Sequence, residues 1–186
     1  MRRGRRAGFT LIELLVVIVM IGIATAILVP RVRVSADRQV ATAARQLARD
    51  IELVRMRAVA TSSRARIVFD EANRRYQAYL DDDRDGTIAE SAAERQAMLV
   101  LGERPLPERI AFARGAAGAL PGFAGPGAIT LPGSRLDFDE RGLVAPLGTR
   151  GALYLQHDQQ AAAQGAVSIE GSAATRTWTV VGGTWH

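Results

Sequence analysis

The order of apolar and polar positions divides the chain into three unequal stretches. From Leu11 to Val29 it reads L-I-E-L-L-V-V-I-V-M-I-G-I-A-T-A-I-L-V, 19 residues with one charge, Glu13, near the start. A helix of that length covers about 28 Å, close to the hydrocarbon thickness of a bilayer, so the stretch predicts a membrane span. Pro30 then removes a backbone hydrogen bond and crowds the preceding turn. With Gly22 eight residues earlier, it marks where the helix is expected to bend.

Beyond Pro30 the pattern stays helical but becomes one-sided. Val40, Ala44, Leu47, Ile51, Val54 and Ala58 recur at alternating steps of four and three, while Arg38, Arg45, Arg49, Glu52 and Arg55 fall away from that stripe. This predicts an amphipathic half-helix that packs on the chain's own sheet and ends at Thr61-Ser62-Ser63. From Arg64 the period changes to two. Ala65–Asp70 and Arg75–Leu80 read as a hairpin, and further strands are expected at Met98–Leu101, Arg109–Phe112, Ala128–Leu131, Arg135–Phe138, Ala152–Gln156, Ala166–Glu170 and Arg176–Val181. Gly115 to Gly133 holds six Gly and three Pro, which predicts a mobile loop with at most one short strand. The expected class is α+β, a long N-terminal helix on an antiparallel β domain. Its parts are 1–8, a leader; 9–30, the transmembrane half of the helix; 31–62, the amphipathic half; and 63–186, the β domain.

Charge changes this picture little. The formal net charge is +5, yet four of the 24 basic residues, Arg2, Arg3, Arg5 and Arg6, precede the apolar run, leaving 20 against 19 acidic residues. The rest of the chain is nearly balanced, so the high isoelectric point comes mostly from the N-terminal octet and from basic residues that are all Arg, and is no evidence of a nucleic-acid footprint. The same four Arg, against Arg31 and Arg33 beyond the run, place the leader in the cytoplasm and the remainder outside. The absence of cysteine excludes disulfides, thiolate metal sites and a cysteine nucleophile. An ordinary secretory signal with an A-x-A site at Ala24-Thr25-Ala26 fits poorly, because the apolar run is too long, carries a glutamate, and passes directly into a helical pattern.

An Arg-rich leader, Gly8, then Phe9-Thr10-Leu11-Ile12-Glu13 and an apolar helix with Gly22 and Pro30 resembles the signal of type IV pilins and type II secretion pseudopilins. The resemblance implies a pilin-like fold, cleavage by a prepilin peptidase between Gly8 and Phe9, and N-methylation of Phe9. It also implies that Glu13 serves assembly by pairing with the terminal amine of a neighbouring subunit, in a setting where an unpaired charge is costly. A pair from Phe9 to Glu13 within one chain is the alternative at four-residue spacing. The acidic turn Leu80–Gly86, the Phe138-Asp139-Glu140-Arg141-Gly142 turn and the Gly-Gly tail are similar to the H-type minor pseudopilins (GspH) and the related FimT/FimU-type minor pilins. By that resemblance the chain is a single-pass inner-membrane protein with a periplasmic domain. It would be a minor pseudopilin near the tip of a type II secretion filament, whose partners are other pseudopilins or pilins, the prepilin peptidase and the membrane. The alternative is a minor type IV pilin that primes pili or DNA uptake.

Three further chemistries bear on function. Asp81-x-Asp83-x-Asp85-Gly86 is the first half of a calcium loop, but its twelfth position is Ala92 where a bidentate glutamate belongs. A solvated acidic turn is therefore expected, with structural calcium as the alternative and no other cofactor. His157 and His186 lie apart, His157 read as a loop residue, and no catalytic motif accompanies them, so no enzyme or small-molecule substrate is expected. Near the C-terminus Trp178 and Trp185 have only Arg176 for company, so nucleic acid is not an expected partner.

Overall fold

The computed structural model describes residues 9–28, 35–98 and 101–186, with the side chains of the first helix described as far as Ala24. The chain divides into two compact units, residues 1–35 and residues 36–186. In the first, α1 spans Leu11–Leu28 and runs as continuous helix through Gly22. Gly8 and Pro30 lie outside the described residues.

The second unit begins with α2, Ala36–Thr61. Its predicted stripe is its buried face: Val40, Ala44, Leu47, Ile51, Val54 and Ala58 are fully buried, joined by Ala36, Ala43 and Asp50. Burying each large aliphatic side chain contributes about 1.5–3 kcal/mol, which outweighs the modest intrinsic helix propensity of the β-branched members. The helix stops because Ser62 turns left-handed (φ 49°). The Ser63 amide then reaches back to the Ala58 carbonyl and the Ser62 amide to that of Val59, the paired bonds of a Schellman end.

Two five-stranded sheets follow, and every pairing in them is antiparallel. One contains β1 (Ala65–Asp70), β2 (Arg75–Leu80), β3 (Glu103–Pro105), β5 (Arg135–Phe138) and β6 (Val144–Ala145), in the order β3-β2-β1-β5-β6. The other contains β4 (Ile110–Phe112), β7 (Gly151–His157), β8 (Gln160–Ile169), β9 (Thr175–Val181) and β10 (Thr184–Trp185), in the order β10-β9-β8-β7-β4. The helix α2 packs against β4, β7, β8 and β9 of this sheet and against β1 of the other, so one core serves both. Close approach at β8 requires Gly165, where a Cβ would stand 2.8 Å from Val40 Cγ1 and 3.2 Å from the Trp178 carbonyl oxygen.

Two expectations need correction, at Met98 and His157, and a third, at Gly115–Gly133, gains detail. Met98 does not open a strand; it ends a helix, α3 (Ala92–Ala97), whose start is set by a capping box. Ser91 Oγ accepts from the Glu94 amide while the Glu94 carboxylate accepts from the Ser91 amide, at the S-x-x-E spacing that signals a helix start. The Gly115 to Gly133 segment is a loop, as its composition predicts, and it is packed on the core. Leu120, Phe123, Ala128, Ile129 and Leu131 are buried, the Leu120 amide donates to Tyr154 Oη at 2.8 Å, and its short strand is reduced to one bridge between Ile129 and Leu153. His157 ends β7, only 4% exposed, with Nδ1 accepting from the Gln159 amide.

Candidate functional site

The N-terminal segment is built on one short motif. Thr10 caps α1: its Oγ1 accepts from the Glu13 amide at 3.3 Å and its carbonyl accepts from the Leu14 amide at 3.2 Å. Glu13 therefore occupies the third helical position, in the first turn, where the positive end of the helix dipole favours a carboxylate. Threonine and glutamate three residues apart have the capping-box spacing, a helix-start signal distinct from the glutamate's charge. Phe9, just ahead of the cap, is 81% exposed. The apolar side chains of α1 from Leu11 to Ile23 are exposed all round, none less than 47%. A helix apolar on every side is one whose surroundings are themselves apolar. Among the described residues no helix is long and apolar enough to cross a membrane. The described side chains of α1, Leu11 to Ala24, cover about 21 Å of helix.

Other predicted positions sit at turns of the second unit. Asp81, Asp83 and Asp85 are brought together, one carboxylate oxygen of each lying within 4.8 Å of the others. Gly86 closes that turn with φ 83°, and its amide donates to Asp81 Oδ2 at 3.0 Å. In the Phe138–Gly142 turn, Asp139 Oδ1 accepts from the Arg141 and Leu143 amides. There Gly142 (φ 75°) lies so near α2 that a Cβ would stand 2.7 Å from Val59 Cγ2. The C-terminal tryptophans are engaged internally. Trp178 Nε1 donates to Ser168 Oγ at 2.9 Å beneath the Arg176 guanidinium, and Trp185 tilts against Tyr154 at 5.8 Å.

Sequence patterning missed one buried polar centre. Asp50, on the apolar face of α2, is 5% exposed and accepts from Tyr76 Oη at 2.5 Å and Gln46 Nε2 at 2.9 Å, with Arg104 at 3.4 Å. Burial, the hydrogen bond and the Asp50 charge together raise the Tyr76 hydroxyl far above the ordinary tyrosine range. The group ties α2 to β2 and β3 and exposes no reactive atom to a ligand.

Residues 3–29 match the family described as a prokaryotic N-terminal methylation motif. Among solved structures, the minor pseudopilin EpsH of the Vibrio cholerae type II secretion system matches with a TM-score of 0.50 at 16% identity, over 77% of this chain and 95% of that one. The chain is pilin-like in fold. A second EpsH structure gives a TM-score of 0.49 at 14% identity, over 76% of this chain and 97% of that one. The Pseudomonas aeruginosa type IV minor pilin FimU gives 0.48 at 12% identity, over 75% and 87%. No curated protein matches the chain significantly in sequence. A pilin-like fold agrees with the α+β class expected from the hydrophobic pattern, and a methylation motif agrees with the Phe9–Glu13 signature.

Proposed function

We propose that this pilin-like chain is a minor pseudopilin of a type II secretion machine, held in the inner membrane by its N-terminal helix until it assembles near the tip of a short periplasmic filament. The reading rests on the combination at the start of α1: Phe9, the Thr10 cap and Glu13 in the first turn of a helix that is otherwise apolar on all sides. A prepilin peptidase would cut between Gly8 and Phe9 and methylate the new amine. Residues 9–30 would form the anchor, bending at Gly22 and Pro30, with residues 31–62 and 63–186 in the periplasm. An ionised carboxylate near the end of a membrane helix is costly until a cation meets it, so Glu13 would select the terminal amine of a neighbouring subunit and set axial register.

Intact-mass measurement of the protein extracted from membranes tests the first step. A mature chain beginning at methylated Phe9 is expected, and one beginning at Ile27 would overturn the reading in favour of a secreted protein. For the second step, Glu13→Gln should leave the melting transition of the β domain within about 0.5 kcal/mol of wild type while abolishing recovery of the subunit in sheared filaments. Deletion of the gene assigns the machine: secretion substrates retained in the periplasm support this reading, whereas lost piliation or transformation with normal secretion would make the chain a minor type IV pilin.

A further inference from the structure

Independently of the filament to which the chain belongs, the turn after β2 has the chemistry of a cation site. Its three aspartates supply oxygens no more than 4.8 Å apart. Two oxygens bound to one calcium ion at about 2.4 Å can stand at most about 4.8 Å apart, a limit that every pair of the three meets. Acidic clusters on surfaces are common without an ion, and proximity alone would not distinguish this one. The distinguishing residue is Asp81. It is 2% exposed, its Oδ2 is occupied by the Gly86 amide, and its Oδ1 is buried with no hydrogen-bond partner. A buried carboxylate oxygen left without a donor is costly, and a hard cation removes that cost.

Two of the basic side chains nearby, Arg64 and Arg84, are committed elsewhere. Arg64 Nη1 donates to the Gly86 carbonyl at 2.7 Å, and Arg84 Nη2 caps the end of α2 at the Thr61 carbonyl at 3.1 Å. Glu90 is paired with Arg66 at 3.0 Å and Glu94 closes the capping box of α3, so neither stands in for the glutamate that the twelfth loop position lacks.

We propose that Asp81, Asp83 and Asp85 bind one calcium ion, which joins the end of β2 to the turn that caps α2. Counting from Asp81, the seventh loop position is Thr87, whose carbonyl is the next oxygen along the chain, and water would complete the shell. A set with no bidentate glutamate belongs to the weak class, with a dissociation constant on the order of 10⁻⁴–10⁻³ M, as in modules outside the cytoplasm.

The test uses the full chain in detergent, stripped with a chelator and titrated with calcium chloride, read by calorimetry and by thermal melting, with magnesium chloride in parallel. Saturable binding of one calcium per chain and a melting temperature that rises with calcium are expected. The exposed variants Asp83→Asn and Asp85→Asn, whose side chains are not in the core, should each weaken binding at least about 10-fold, since even supporting residues around a metal cost that much. Three results would overturn the proposal: no heat and no shift with wild type, an equal response to magnesium, or calcium binding unchanged in both variants. The first of these would leave Asp81 Oδ1 to the adjoining cleft of about 230 Å³, where the buried Arg57 Nε also lacks a partner and bound water could bridge the two.

Discussion

The two long helices of this chain obey opposite rules. The first, α1, is apolar over almost its whole length and keeps no side of itself buried, with Leu11 at 85% and Ile18 at 60% exposure. The second, α2, has fewer large apolar residues but hides one row of them: Val40, Leu47, Ile51 and Val54 reach 0%, while Leu53 is partly buried and Met56 and Val59 stay exposed. Hydrophobicity by itself therefore does not locate the core. What locates it is one-sidedness, because a stripe of about 100° or more can be buried by one sheet while a helix apolar all round needs an apolar medium or several partners. The contrast separates the helix whose stability comes from its own chain from the one whose energetics are settled by what surrounds it.

A matched pair of truncations puts the contrast under the greatest strain. Leu47→Ala should cost about 2–5 kcal/mol, because the side chain leaves a cavity between α2 and the sheets. Ile18→Ala removes a comparable amount of apolar surface from α1 and should change the unfolding free energy of the β domain by no more than about 0.5 kcal/mol. Denaturant melts of the two variants in one detergent decide it, and equal costs would mean that the helices are energetically one element.

A smaller effect is expected at the polar centre in the apolar stripe. Tyr76→Phe leaves Asp50 Oδ2 buried with only Arg104 at 3.4 Å, and should destabilise the protein by about 1–3 kcal/mol. Double-mutant analysis with Asp50→Ala would show strong coupling, since the two share one hydrogen bond. Additive effects would mean that Asp50 is held by α2 alone, through Gln46.

How much of this was legible beforehand follows the same division. The stripe of α2 and the hairpin β1–β2 were readable to the residue because each has a single period, and β5 was placed from Arg135 to Phe138 for the same reason. The short elements β3, β6 and β10 were not, since two or three residues carry no periodicity and are defined only by their partners. At α3 the apolar residues Met98–Leu101 drew attention away from the Ser91–Glu94 spacing that sets the local structure. The packing of residues 115–133 was invisible because glycine and proline counts report turns and say nothing of the Leu120, Phe123 and Leu131 side chains between them. At the candidate sites, the order of Phe9, Thr10 and Glu13 and of the three aspartates could be read directly. The orphaned oxygen of Asp81 and the burial of Asp50 depend on distant chain segments and could not.

The smallest expected effect sharpens the comparison by placing an exposed group inside the well-packed unit. Asp70 ends β1 with its side chain about one-third exposed; its carboxylate accepts from Asn73 Nδ2 at 2.6 Å, from the Asn73 amide at 3.0 Å and from Arg75 Nε at 3.3 Å. These hydrogen bonds, those of Asn73 foremost, hold its carboxyl below the ordinary aspartate value. A carboxyl depressed in the folded state adds stability above the unfolded value and loses it as pH falls through that value towards its own. Asp70→Asn should therefore lower the melting temperature slightly at neutral pH, by less than Tyr76→Phe, and the difference should close as the pH drops below about 3.9. Melts of both proteins between pH 7 and pH 3 check this. A gap as large as that of Tyr76→Phe, or one that persists in acid, would show that membership of the compact unit, and not burial, sets the cost of losing a polar contact here.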